Sequence, residues 1–224
     1  MDPSLQPLNA AEIRVLGALI EKAVTTPAYY PLSLNALTNA CNQSSNRDPV
    51  VSFSEADVVR ALDGLRVQNL ATHYQGADSR IARYKHAFTE VFLLTPAELA
   101  ILCVLMLRGP QTVGELRTRT ERLHPFDDLA EVEATLQALA TRQPQPLVAK
   151  LPRQPGTKES RYAHLFSGPV ETAGPARALL PEPATLAVRA ENERFEKLEA
   201  EVAALRREIA EIQQQFAAFR KQFE

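Results

Sequence analysis

Apolar side chains recur every three or four positions in two separated stretches of the chain. They are Ile13, Leu16, Leu19 and Ile20, then Leu99, Leu102, Leu105 and Met106. That spacing predicts two amphipathic helices. The polar positions ahead of them repeat as well. Leu8-Asn9-Ala10-Ala11-Glu12-Ile13 has its counterpart in Leu94-Thr95-Pro96-Ala97-Glu98-Leu99. Asn or Thr followed three residues later by Glu is a helix start, because the two side chains satisfy free backbone N–H groups reciprocally. Pro96 suits the first helical position of the second copy.

The repeat continues. A second helix is predicted at Leu34-Asn35-Ala36-Leu37 and at Val113-Gly114-Glu115-Leu116. A third begins at Ser54-Glu55-Ala56-Asp57 and runs through Val58, Leu62 and Leu65. Its counterpart begins at Asp127-Asp128 and runs through Val132, Leu136 and Leu139. Strand-like segments follow each third helix. Leu70–Tyr74 leads to Arg83–Phe88, and Leu147–Leu151 leads to Arg161–Phe166, each across a turn. The segment Arg-Tyr-x-His-x-Phe stands at the same place in both copies. Three helices and a hairpin predict a winged helix, with the hairpin as wing. The expected fold is mainly α (α+β): winged-helix domains at 1–90 and 91–167.

Residues 168–184 are rich in Pro, Gly and Ala and read as an extended linker. Beyond it, 185–224 holds no Pro or Gly. Phe195, Leu198, Val202, Leu205, Ile209, Ile212, Phe216 and Phe219 alternate three- and four-residue spacings. This is a coiled-coil seam, and the pairs Glu201/Arg206 and Arg194/Glu199 fall where a parallel partner would attract them. A homodimer through this helix is expected. A long helix packed on its own domains is the plainer alternative.

Composition narrows the class. No apolar run approaches the length of a membrane span. Met1-Asp2-Pro3-Ser4 has no secretory pattern, so a cytoplasmic location is expected. Cys41 and Cys103 are the only cysteines, too few for a disulfide framework or a zinc ribbon.

Leu32 to Gln43, running into Ser45-Asn46-Arg47-Asp48-Pro49-Val50, together with Leu8 to Glu21 and both Arg-Tyr-x-His segments, resembles the YceH family of bacterial proteins. The resemblance covers roughly 8–167, and Asn-Gln-x-Ser-Asn-Arg-Asp-Pro is its most specific part. It implies tandem winged helices and a bacterial cytoplasmic origin, and it implies no reaction.

The residues themselves show no P-loop, dinucleotide fingerprint, nucleophile elbow or zinc-protease motif. A non-enzymatic protein without cofactor or metal is expected. Tyr84, His86 and Phe88, like Tyr162, His164 and Phe166, fall on one face of a strand and read as packing beneath the wing. The connection after the second helix is long for a helix-turn-helix, and polar. Asn42, Gln43, Ser45, Asn46 and Arg47 can contact bases, phosphates or peptide groups, or can build turns and caps.

Charge constrains a nucleic-acid role. The whole chain is at −2. Residues 1–90 carry net −1, 91–166 net +1 and 167–224 net −2. Phosphate contact needs cations, yet the third helices open with Glu55, Asp57, Asp127, Asp128, Glu131 and Glu133. The candidate cations are Arg47, then Arg80, Arg83 and Lys85 on the first wing and Lys150, Arg153 and Lys158 on the second. Double-stranded DNA held by the wings is therefore one expected partner. Another protein, docked on the winged helices or the coil, is the alternative.

Overall fold

The computed structural model describes residues 6–74, 82–153 and 159–168. The coil positions Phe195 to Phe219 and nearly all of the linker lie outside them. The described residues form a mixed α and β structure with seven α-helices and two small antiparallel sheets. This content is consistent with a winged-helix organisation.

The first half runs α1 (Ala10–Thr25), β1 (Leu32–Ser33), α2 (Leu34–Cys41), α3 (Glu55–Val67), β2 (Ala71–Tyr74) and β3 (Arg83–His86). A short helix, α4 (Phe88–Phe92), leads to the second half: α5 (Pro96–Arg108), α6 (Val113–Thr120), α7 (Leu129–Thr141), β4 (Val148–Lys150) and β5 (Tyr162–His164). The expected caps are present. Asn9 with Glu12 and Thr95 with Glu98 both close reciprocal capping boxes. Ser54 with Asp57 and Thr112 with Glu115 do the same at α3 and α6.

Three elements depart from the periodic reading. The strand after Arg83 stops at His86, and Phe88 opens α4 instead of extending the strand. Phe166 likewise lies beyond β5. The third departure is β1, which pairs with β3 at Leu32↔Tyr84 and gives the sheet order β1-β3-β2. The second half keeps only a trace of it, as Gln111 and Tyr162 exchange backbone hydrogen bonds of 3.0 and 2.7 Å. Two residues are too few for the apolar–polar alternation that announces a strand.

The two halves share one core. Helix α5 is apolar almost all round, and Ala100 to Leu107 are all buried. Such a helix must be covered on every side. Its cover on one side is α1, the matching helix of the other half. Gly17 allows the close approach: a Cβ there would lie 2.9 Å from Leu107 Cδ2 and 3.2 Å from Met106 Cβ. The two repeated phenylalanines meet at a second contact. Phe88 and Phe166 pack edge to face at 5.2 Å, with Phe92 at 4.8 and 5.5 Å from them. Leu8 N–H donates to Phe166 O at 2.7 Å and fastens the start of the first half to the end of the second.

Gly17→Leu should lower the unfolding free energy by about 2–3 kcal/mol, because the α1–α5 contact has no room for the added atoms. Gly114→Ala meets open space in α6 and should raise stability by about 0.5 kcal/mol through helix propensity. Urea unfolding of the two variants measures both effects.

Candidate nucleic-acid interface and the polar loop

The loop between α2 and α3 is built around two buried arginines. Arg14 comes from α1 and Arg47 from the loop, at 4% and 6% exposure. Helix α2 ends at Cys41, where its last carbonyls have no helical partner. The Arg47 guanidinium donates to Ala40 O from both Nε and Nη2, at 3.1 and 2.8 Å. Arg14 donates to Cys41 O at 3.3 Å and to Pro49 O at 2.6 Å. Positive charge at a helix C-terminus is also favoured by the helix dipole.

Glu21 supplies the one carboxylate in this cluster of contacts. Arg47 Nη1 and Nη2 grip its two oxygens at 3.2 and 2.6 Å, a bidentate pairing. Burial opposes ionisation of Glu21. The hydrogen bond and charge of Arg47, with Lys22 beside it, outweigh that and leave its pKa below the ordinary value. Burial, and then repulsion from Arg47, lower the pKa of Arg14.

The loop candidates are thereby placed. Asn42 exchanges two hydrogen bonds of 2.8 Å with the backbone of Phe53, closing the loop at its ends. Gln43 Oε1 accepts from Lys22 and Arg47. Asn46 adopts the left-handed conformation at φ 59°, and its Oδ1 accepts from Arg108 Nη2 at 2.6 Å. Asp48 N–H donates to Leu107 O at 2.9 Å, a further tie to the second half. Of the two roles open to Arg47, the structure favours the structural one over the nucleic-acid contact: its side chain has no exposed area. Among the five loop candidates, Ser45 and Asn46 are exposed and face a cleft toward α5 and α6.

The hairpins hold the other cations. On β3, Arg83 and Lys85 alternate with Tyr84 and His86. Lys85 is exposed, whereas Arg83 is half-buried and donates to Pro31 O at 2.9 Å. On the second hairpin Lys150 and Arg153 are exposed, with Lys150 Nζ 5.8 Å from the centre of the Tyr162 ring. Arg80 and Lys158 lie outside the described residues. The third helices offer little. Arg60 and Arg66 of α3 pair with Asp57 and Asp63 of the same helix. Helix α7 carries Glu131 and Glu133 and no cation.

The sequence profile described as "Protein of unknown function, DUF480" matches residues 8–157. The chain belongs to the DUF480 family. The YceH-like resemblance carried by the loop and the two Arg-Tyr-x-His segments agrees with that membership. The UPF0502 protein GSU0233 of Geobacter sulfurreducens is 59% identical over 218 residues, covering 97% of this chain and 98% of its own. A UPF0502 protein of Opitutus terrae is 55% identical over 205 residues, 92% and 86% of the two chains. Another, from Citrifermentans bemidjiense, is 64% identical over 161 residues, 72% and 74%. The longest of these matches reaches into the segment 185–224, so similarity within the DUF480 family extends past the hairpins. No described helix of this DUF480 chain is long and apolar enough to cross a membrane.

The repeated histidines pack inward, as their positions predict. His86 N–H donates to the Tyr30 hydroxyl at 2.7 Å, and the His164 ring lies 5.9 Å from Phe166. Burial lowers the pKa of both, that of His164 to about 4. Burial also pushes the Cys41 thiol up to about 12 and raises Cys103, so both thiols stay protonated at neutral pH.

His164 gives a pH prediction. Its folded-state pKa lies below the ordinary value of about 6.5, so only the unfolded chain gains its proton as the pH falls from 6.5 toward 4. Stability is complete above that window and drops within it. Between pH 7 and pH 5, above most carboxylate titration, the loss from His164 should be about 2 kcal/mol, with His86 adding in the same direction. Urea unfolding at the two pH values measures it, and His164→Leu should flatten the dependence.

Proposed function

We propose that this DUF480 chain is a non-enzymatic, DNA-associated regulatory protein built from two fused winged helices, each meeting the duplex through its hairpin. The order helix, short strand, helix, helix, hairpin in the first half, repeated in the second with the strand reduced to a single bridge at Gln111, supports the winged-helix reading. The observation that carries the DNA reading is the distribution of exposed cations. Lys85, Lys150 and Arg153 stand on the hairpins, while the third helices are acidic or internally paired. A phosphate backbone is attracted by the former and repelled by the latter. The segment 185–224 would join two protomers as a coiled coil, and two weak contacts joined in this way gain affinity through effective concentration.

One observation favours protein docking as a second reading. Along α7, Ala130, Ala134, Gln137 and Ala138 are exposed, and Leu129 is 47% exposed. Glu133 is the exposed charge on that face and repels a phosphate backbone, while the small uncharged side chains around it suit a polypeptide partner.

Fluorescence anisotropy with a labelled random-sequence duplex distinguishes the two. Wing contact should give binding near 50 mM salt that weakens steeply as salt rises. Lys150→Glu with Arg153→Glu should reduce the affinity several-fold. Absence of binding at low salt, or equal affinity in the double variant, would overturn the wing-led reading.

A further inference from the structure

The cleft that Ser45 and Asn46 face is lined by four cationic side chains, and neither the hairpins nor the third helices contribute to it. Its volume is about 490 Å³, within the range of small-molecule sites. The end of α1 and the polar loop form one wall, and α5 and α6 form the other. Lys22, Arg108, Arg119 and Arg122 all line it, drawn from both halves of the chain. Glu21 is the one acidic residue in the lining; Arg47 holds both of its oxygens, and Lys22 Nζ lies 3.5 Å from one of them.

The nearby carboxylates leave the excess in place. Glu115 lies 3.4 Å from Arg119 but is shared with Arg161 at 3.3 Å. Asp48 acts on Arg108 from outside the lining. Six cations, counting Arg47 and Arg161, thus surround three carboxylates on a chain of net charge −2. The protein has gathered like charges here against their own repulsion. Arg108 registers the strain: burial, and then Arg119, lower its pKa.

We infer that this cleft binds a small polyanion carrying two or more linked phosphate groups, clamped between Lys22 on one wall and Arg108, Arg119 and Arg122 on the other. Guanidinium groups meet phosphate oxygens two at a time, which suits adjoining phosphates better than a single carboxylate. The remaining polar groups fit this chemistry. The hydroxyls of Thr25, Thr26 and Thr118 donate to carbonyls of their own helices, so the cations are the principal donors to a ligand. No aromatic ring lines the cleft, and its apolar part is Val104, Leu107 and Leu123. The phosphates therefore supply the recognition, whether they belong to a nucleotide or to an inorganic chain. A ligand held this way bridges the two halves, and it does so independently of any contact made by the hairpins.

Isothermal titration of the full chain with pyrophosphate, tripolyphosphate, ATP and citrate at about 50 mM salt tests the site. Pyrophosphate or tripolyphosphate should bind with one site per chain, and citrate should bind at least tenfold more weakly. Arg119→Ala with Arg122→Ala, and Arg122→Ala alone as the milder variant, should weaken phosphate binding by about tenfold or more with an unchanged melting temperature. Arg60→Ala with Arg66→Ala, on the far smaller charge cluster of α3, should leave it unchanged. ATP binding as tightly as tripolyphosphate would assign recognition to the phosphates alone, and tighter binding would add a nucleoside contact to the same site. No binding of either polyphosphate, or equal weakening by the α3 pair, would overturn the proposal.

Discussion

The C-terminal end of α2 is the point on which the described fold turns. A helix leaves its last carbonyls without partners, and here that end is covered by the chain that follows it. Water cannot supply the missing donors, so the protein does. Arg14 and Arg47 bring two guanidinium groups under the loop, and their N–H groups meet the carbonyls of Ala40, Cys41, Asn46 and Pro49. Two buried cations would repel each other and would cost several kcal/mol each to desolvate. Glu21 offsets part of that cost, and the carbonyl dipoles offset more. Because Arg47 is itself part of the loop, its position fixes the turn at Asn46. That turn in turn presents the Asn46 side chain to Arg108 and the Asp48 N–H to Leu107. The junction between the halves is thus partly a consequence of how one helix end is satisfied.

This has a functional corollary. The polar residues of the loop are largely committed to the fold, and the charges left for a partner lie elsewhere. Lys85, Lys150 and Arg153 project from the hairpins. Lys22, Arg108, Arg119 and Arg122 gather in the cleft between the halves. A single core running through both repeats makes the separation between these two sets a property of a rigid body. The cleft exists only because the repeats are fused, since neither repeat alone carries all four of its cations.

The helices were legible because their signals are local. Capping boxes occupy four residues, and the apolar spacing of α1, α3, α5 and α7 needs no tertiary knowledge. The inward packing of Tyr84, His86, Tyr162 and His164 could be read from alternation. The helix opened by Phe88 could not, because five residues carry too little periodicity and the ring is drawn inward by Phe92 and Phe166. The sequence left Arg47 open between a contact and a structural role for a similar reason. Its burial rests on Glu21, twenty-six positions earlier, and nothing in a run of Asn, Gln and Ser announces that partner. The cleft draws on positions 22, 108, 119 and 122, which the linear charge count distributes between two nearly neutral halves.

A double-mutant cycle on Glu21 and Arg47 tests this account most directly. Glu21→Gln, Arg47→Met and the combined variant would be unfolded in urea beside the natural chain. Breaking a buried pair from one side leaves an unpaired charge and costs about 3–5 kcal/mol. If the pair anchors the end of α2, the combined variant should lose at least about 2 kcal/mol less than the two single losses taken together. Losses that add to within about 0.5 kcal/mol would show two independent residues and would contradict the account.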